Sequence, residues 1–217
     1  VIGGAAGVGM GWRMLMECLA SGRALSLPSL SVGSAQRAAR VAGAHAAVRR
    51  QFGIPIARFE GIEEPLARIA GRTWLMQAAQ LTTCGGLAGG AKPSVISAIA
   101  KHAQTESARR VVADAMDVVG GGGVVRGPRN LLEGYWTAQP ISITVEGANI
   151  LTRSLIIFGQ GVIRCHPFAW QEAQAVAARD VDALDDLLWR HVRFVLRNMA
   201  RSLLLSWTRG VMTLDAP

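Results

Sequence analysis

Residues 94–123 read SVISAIAKHAQTESARRVVADAMDVVGGGG, and this stretch decides the fold class. Its apolar positions, Ile96, Ile99, Ala103, Val111, Ala115 and Val118, recur mostly at helical spacing. No proline or glycine interrupts them before the four glycines at 120–123. That pattern predicts one long helix over 94–119, halted by the glycine run. Upstream, Phe59, Ile62, Leu66, Ile69, Trp74, Leu75, Ala78 and Leu81 make a second helical run, expected to stop at Cys84-Gly85-Gly86. Before it, Met14, Leu15, Cys18 and Leu19 start a third. It is expected to pause at Pro28 and resume through Leu30, Ala38, Val41, Ala42, His45 and Val48. Downstream, a last core helix is predicted from about Ala148 to Phe158. Few segments alternate with period 2, so the chain reads as all-α, a bundle of long helices.

Both ends differ from this body. Residues 1–11, VIGGAAGVGMG, are glycine-rich, but no strand precedes them and the region near position 30 reads LPSLSVGS, without the acidic residue that closes a dinucleotide-binding unit. A connector is expected there. Beyond Pro167, Leu184, Leu187, Leu188, Val192, Val195, Leu196, Met199 and Leu203 form one apolar stripe. Asp182, Asp185 and Asp186 lie at its start and Arg190, Arg193, Arg197 and Arg201 later, an order that suits the helix dipole. Such a helix packs on its own protein or lies on an anionic membrane surface.

Of the 217 residues, 50% are hydrophobic and only 18% are charged, which excludes a disordered chain and requires a packed one. Arg13, Lys92, Lys101, Glu146 and Arg153 break the apolar segments, so no spanning helix is expected. The formal charge of +8 is spread over 23 Lys and Arg without a basic cluster, so nucleic acid is not an expected partner. Cys18, Cys84 and Cys165 share no metal or redox spacing and are expected as buried or idle thiols in a reducing compartment. His45, His102, His166 and His191 lack metal-ligand spacing, and neither GxSxG nor HExxH occurs, so no metal is expected.

One segment carries chemistry: residues 141–153, ISITVEGANILTR. A single carboxylate, Glu146, sits in an apolar stretch at the mouth of a helix, beside a glycine that permits close approach. It either serves the helix N-terminus electrostatically or, if buried, acts as a general base.

QFG at 51–53, the glycines at 120–123 and VEGANILTRSLIIFGQGVIRCHP at 145–167 resemble the C-terminal half of an acyl-CoA dehydrogenase, and the last string is similar to the enlarged bacterial β-oxidation type. The resemblance covers almost the whole chain. It implies the end of the β domain and a connector over 1–11, a C-terminal helical bundle over 12–163, and an incomplete helical extension over 164–217. It also implies an FAD-dependent α,β-dehydrogenation of fatty acyl-CoA to trans-2-enoyl-CoA, with Glu146 as the base. The isolated piece is expected to be inactive, since the domains that grip the isoalloxazine lie outside it.

Further roles come with the resemblance. Gly147 follows the base in the Glu-Gly motif at the substrate, and Arg23 matches an arginine near the base and the substrate. The family's alternative site for the base, the residue before that arginine, is Gly22 here. Arg49 and Phe52 match residues that meet the FAD of the neighbouring protomer, where an arginine fork suits phosphate oxygens. Gly120 and Gly121 match the turn that admits its adenosine end. The chain departs from the family at Glu60 and Asp117, each in place of Gln, and at Ala148 in place of Thr. Each change removes a typical flavin hydrogen bond or adds negative charge. Implied partners are fatty acyl-CoA, electron-transfer flavoprotein as acceptor and further copies in a dimer or larger homo-oligomer, in a bacterial cytoplasm or peripherally at the inner membrane. The alternatives are an acyl-CoA oxidase and a non-catalytic helical module for oligomerisation or membrane association.

Overall fold

In the computed structural model, which describes residues 2–91 and 94–209, helices α1 (Gly11–Val48), α2 (Glu60–Ala88) and α3 (Ser94–Val119) form the frame. The chain divides into two compact units, 1–158 and 159–217. Between α1 and α2, strands β1 (Arg50–Gln51) and β2 (Ile54–Pro55) form a small antiparallel hairpin. Its two turn residues, Phe52 and Gly53, have φ of 50° and 82°, the pairing that a two-residue hairpin loop favours. Gln80 bonds Ala24 and Gln77 bonds Gln36, while Gln104 bonds Met76 and Asp114 pairs with Arg68; numbering falls along α2 as it rises along α1 and α3, so α2 runs antiparallel to both and α1 and α3 run parallel.

Small side chains set the closeness of α1 and α3. Ala35, Ala38, Ala42 and Ala46 on α1 and Ala108, Val111, Val112 and Ala115 on α3 are fully buried in one cluster, with Ile69 and Met76 of α2. Alanines carry little side-chain entropy to lose and let helix axes approach.

Several expected helix boundaries are corrected. Pro28 does not end a helix; α1 passes through it, and the ring is fully buried. A proline withdraws one N–H and orphans the carbonyl four residues earlier. That carbonyl, Ala24 O, accepts from Gln80 Nε2 of α2 at 3.3 Å, so the neighbouring helix repairs the gap. Likewise α2 continues beyond Gly85-Gly86 to Ala88. Two apolar stripes are also displaced. Trp74, Leu75 and Leu81 face outward on α2, while Thr73, Met76 and Gln80 face in; on α3, Ile96 and Ile99 are exposed, while Ser97, Lys101, Gln104 and Thr105 are buried. Gln80, Lys101, Gln104 and Thr105 each make hydrogen bonds there, whereas Thr73 Oγ1 is sealed without a partner.

After the short α4 (Gly121–Val124), Asn130 joins the glycine turn to the next helix. Its Nδ2 donates to Gly123 O and Val125 O, and its Oδ1 accepts from the backbone N–H of Leu132 and Glu133. Helix α5 (Glu133–Thr144) is absent from the sequence-based expectation, because Gly134, Pro140 and the β-branched Ile141, Ile143 and Thr144 argue against it. The expected 148–158 helix is α6 (Asn149–Leu151) followed by a π-helical segment, Thr152–Gln160, and α7 (Gly161–Cys165).

In the second unit, α8 (Ala169–Ala178) turns through Arg179, at φ 55°, into α9 (Val181–Trp207). Asp180 caps α9, its Oδ1 accepting from Ala183 N at 3.0 Å. Leu187 is buried, whereas Leu188, Val192, Val195, Leu196, Met199 and Leu203 are exposed. No single helix among the described residues is long and apolar enough to cross a membrane.

Candidate active site

Helix α5 ends at Thr144 and α6 begins at Asn149, and the reversal between them centres on Glu146 and Gly147, with φ of 54° and 90°. A left-handed glutamate is strained by about 1–3 kcal/mol and persists only where its surroundings hold it. Three carbonyls around the turn, those of Ile143, Glu146 and Gly147, are held by side chains. Arg23 Nε of α1 donates to Glu146 O at 3.0 Å. Lys101 Nζ of α3 donates to Ile143 O at 3.0 Å, Gly147 O at 2.8 Å and Asn149 Oδ1 at 2.7 Å. Thr152 Oγ1 donates to Gly147 O at 3.1 Å, and Asn149 Nδ2 donates to Thr105 Oγ1 and Glu106 Oε1, each at 2.9 Å. Gly147 is required by space as well as by φ: a Cβ there would lie 3.2 Å from Thr152 Oγ1 and 3.6 Å from Arg23 Nη2.

Burial shapes the charges. Arg23, read in the sequence as near the substrate, is buried, and loss of water lowers its pKa while the charge of Glu146 acts in the opposite sense. Lys101 is the largest fully buried side chain among the described residues. Its pKa is lowered to about 8, chiefly by burial and then by the Arg23 charge, against the pull of Glu146 and Glu106. Glu146 is half-buried, with Oε2 sealed and unpartnered; Arg23 Nη1 is sealed and unpartnered too. One unsatisfied carboxylate oxygen and one unsatisfied guanidinium N–H therefore share the site, each with unused hydrogen-bonding capacity.

Arg49, Phe52, Gly120 and Gly121 lie elsewhere. Arg49 ends α1, Phe52 tips the hairpin and is 94% exposed, and the glycines follow the parallel helix α3, so all four belong to one end of the bundle. Twenty-six residues of α1 separate Arg23 from Arg49, about 39 Å at the helical rise. Gly120 has φ 63° and ψ −137° with open space on its Cβ side, as has Gly121, so the backbone there is accessible. An exposed guanidinium, an exposed ring and an uncovered backbone turn fit an anionic dinucleotide approaching from outside the chain.

The remaining candidates fall into place without chemistry. Of the thiols expected to be buried or idle, Cys18 and Cys165 are exposed and Cys84 is half-buried, its Sγ accepting from Gln80. His166 and His191, distant in sequence, meet with ring centroids 4.4 Å apart beside Phe168 and Phe194. His166 Nδ1 accepts the Phe168 and Ala169 N–H at the start of α8, and His191 Nδ1 lies 2.7 Å from Glu172. No metal-binding group of three or more His, Cys, Asp or Glu occurs among the described residues. The residue that sequence reading misses is Lys101. Its signal was available: it continues the register of Ala98, Thr105, Ala108 and Val112, a cation at a core position.

A frame of parallel and antiparallel long helices with this turn at one end is the all-α C-terminal domain of acyl-CoA dehydrogenases. The model of the family described as acyl-CoA dehydrogenase, C-terminal domain, matches residues 9–159, and that described as acyl-CoA dehydrogenase, C-terminal, bacterial type, matches residues 163–217. The chain belongs to the acyl-CoA dehydrogenase family. It is 32% identical over 151 residues to the mitochondrial short-chain specific acyl-CoA dehydrogenase of Bos taurus, covering 68% of this chain and 35% of that protein. The butyryl-CoA dehydrogenase structure from Megasphaera elsdenii superposes with a TM-score of 0.65 at 25% identity, over 72% of this chain and 39% of that one. A chain from the structure described as the electron transferring flavoprotein of Acidaminococcus fermentans gives a TM-score of 0.60 at 26% identity, over 72% and 40%. The chain spans about a third of the length of the curated acyl-CoA dehydrogenases it matches.

Proposed function

We propose that the enzyme carrying this chain desaturates a fatty acyl-CoA between Cα and Cβ, with Glu146 as the base. The carrying observation is the Glu146 turn, whose carboxylate keeps one oxygen without a hydrogen-bond partner while Arg23 holds the backbone carbonyl of the same residue. In this reading Glu146 takes the α-proton as the β-hydrogen departs as hydride, and trans-2-enoyl-CoA is formed. FAD, when bound, supplies the hydride acceptor, and electron-transfer flavoprotein reoxidises it. Arg23 and Lys101 hold the turn so that the carboxylate meets the substrate in one orientation, and a positioned base contributes on the order of 10²–10⁴ in rate. Arg49, Phe52, Gly120 and Gly121 serve the flavin of a second protomer in a homo-oligomer located in the cytoplasm. The outward-facing Trp74, Leu75 and Leu81 support burial of this bundle against further protein.

Dye reduction by acyl-CoA and flavin absorbance, measured on the full-length enzyme with and without Glu146→Gln, test this function. Turnover lost with flavin retained is expected, and unchanged turnover overturns the base. Oxygen consumption in the same assay separates an oxidase from a dehydrogenase. A second reading concerns α9, whose exposed apolar residues run beside Arg193, Arg197 and Arg201: it supports docking on an anionic membrane. Co-sedimentation with anionic liposomes, with and without residues 168–217, tests it.

A further inference from the structure

We propose that Lys101 is a positioning residue for Glu146, its ammonium fixing the two backbone carbonyls that flank the base and hence the direction of the carboxylate. The proposal rests on Glu146 being the base. An ammonium has three N–H donors, and Lys101 has three acceptors within 3.0 Å: Ile143 O before Glu146, Gly147 O after it and Asn149 Oδ1 on the next helix. One side chain thus ties α3 to the end of α5, the turn and the start of α6. No apolar residue at this core position could do so, since it would leave two buried carbonyls and an amide oxygen without that donor.

The charged groups around the ammonium are Arg23 from α1, Glu106 from α3 and Glu146 from the turn itself. Half-buried His102 is the next residue on α3. Arg23 holds a different carbonyl, the intervening Glu146 O, through its Nε. Loss of one proton leaves an amine with two donors for three acceptors, so the clamp is complete below the Lys101 pKa of about 8 and loosens as pH rises through it.

The test uses the full-length FAD enzyme. In the wild type, kcat with acyl-CoA falls through an alkaline limb near pH 8. In Lys101→Met, kcat at pH 7 drops about 10- to 100-fold, as a misplaced reacting group does, with KM and flavin absorbance retained and the limb near pH 8 gone. Wild-type kcat in Lys101→Met, or a limb that persists in it, overturns the proposal. If Lys101→Met does not fold, the wild type and Glu106→Gln decide. The Glu106 charge raises the Lys101 pKa, and Gln keeps an oxygen to accept from Asn149, so in Glu106→Gln the limb must move to lower pH; no limb in the wild type, or one that stays in place, overturns the clamp. Glu146→Gln separates the two claims. Full turnover in that variant defeats the base reading itself. An inactive Glu146→Gln beside an unaffected Lys101→Met defeats only the clamp.

Discussion

The two ends of the three-helix frame are built on opposite terms. At the Glu146 end, a cation from α1 and a cation from α3 are drawn into the interior and spend their hydrogen bonds on backbone carbonyls of one strained turn. At the hairpin end, Arg49 and Phe52 stand in solvent, and Gly120 leaves its backbone uncovered. In the reading proposed above, the first arrangement fixes a reacting group before substrate arrives, and the second offers contact to a body outside the chain. Preorganisation requires groups held in place within the interior, whereas an interface requires accessible ones. The same helices supply both because α1 and α3 run parallel.

The sharpest way to break this comparison is at Glu146. Replacement by Gln keeps the shape of the turn and removes the base, so turnover in the full-length enzyme should fall by on the order of 10²–10⁴ while thermal stability and flavin content stay near wild type. A large fall in melting temperature would instead make the carboxylate part of the scaffold. The next largest effect concerns Lys101 and the fold itself. Its pKa is 10.5 in water and about 8 here, so the folded state sheds the proton first as pH rises. Between pH 8 and 10.5 the unfolded chain binds more protons, and stability must therefore increase with pH, by up to roughly 3 kcal/mol from this group. Urea denaturation of wild type and Lys101→Met across that window isolates it; a stability difference independent of pH would show that the ammonium is hydrated. Alkaline pH thus strengthens the fold while it loosens the clamp, a split between stability and rate.

The sequence makes these two ends legible to different depths. Helical period, the four glycines and the Glu-Gly pair are local signals, and they suffice for an all-α bundle and for Glu146, Arg49 and Phe52 as residues to watch. Helix α5 was invisible because Pro140 and its β-branched neighbours oppose a helix that tertiary contacts enforce. The continuity of α1 through Pro28 rests on Gln80, 52 residues away, which no local pattern announces. In sequence Lys101 is a charge interrupting an apolar run, and in the fold that charge is what the core needs at this position. The inward face of α3 carries Ser97, Lys101, Gln104 and Thr105 because the turn beyond α5 needs donors, and that need appears only once the segments are brought together.

Gly147→Ala probes how tightly the buried end is built. Alanine at φ 90° is strained by about 2 kcal/mol, and its Cβ would press on Thr152 Oγ1, which donates to the carbonyl of the same residue. Stability should fall by at least that amount in chemical denaturation, and kcat should fall with it. A fully active Gly147→Ala would mean that the turn relaxes freely and that its cage of donors does not orient the base.

The smallest effect on folding is expected at the opposite end, and there its smallness is the point. Phe52 touches Phe59 only edge-on, at 6.2 Å between centroids, and otherwise stands in solvent. Phe52→Ala should therefore leave the stability of the bundle within about 0.5 kcal/mol of wild type, as surface changes do. If the ring serves the flavin of a second protomer, the same substitution must lower the ratio of flavin absorbance to protein absorbance in the purified oligomer. Because the flavin affected belongs to the other subunit, mixing Phe52→Ala with Glu146→Gln protomers gives an asymmetric readout. The flavin beside the intact base is then the one that meets the intact ring of its neighbour, and activity reappears in the mixture. A melting temperature that drops while flavin content holds would assign Phe52 to the hairpin's own packing and erase the contrast between the two ends.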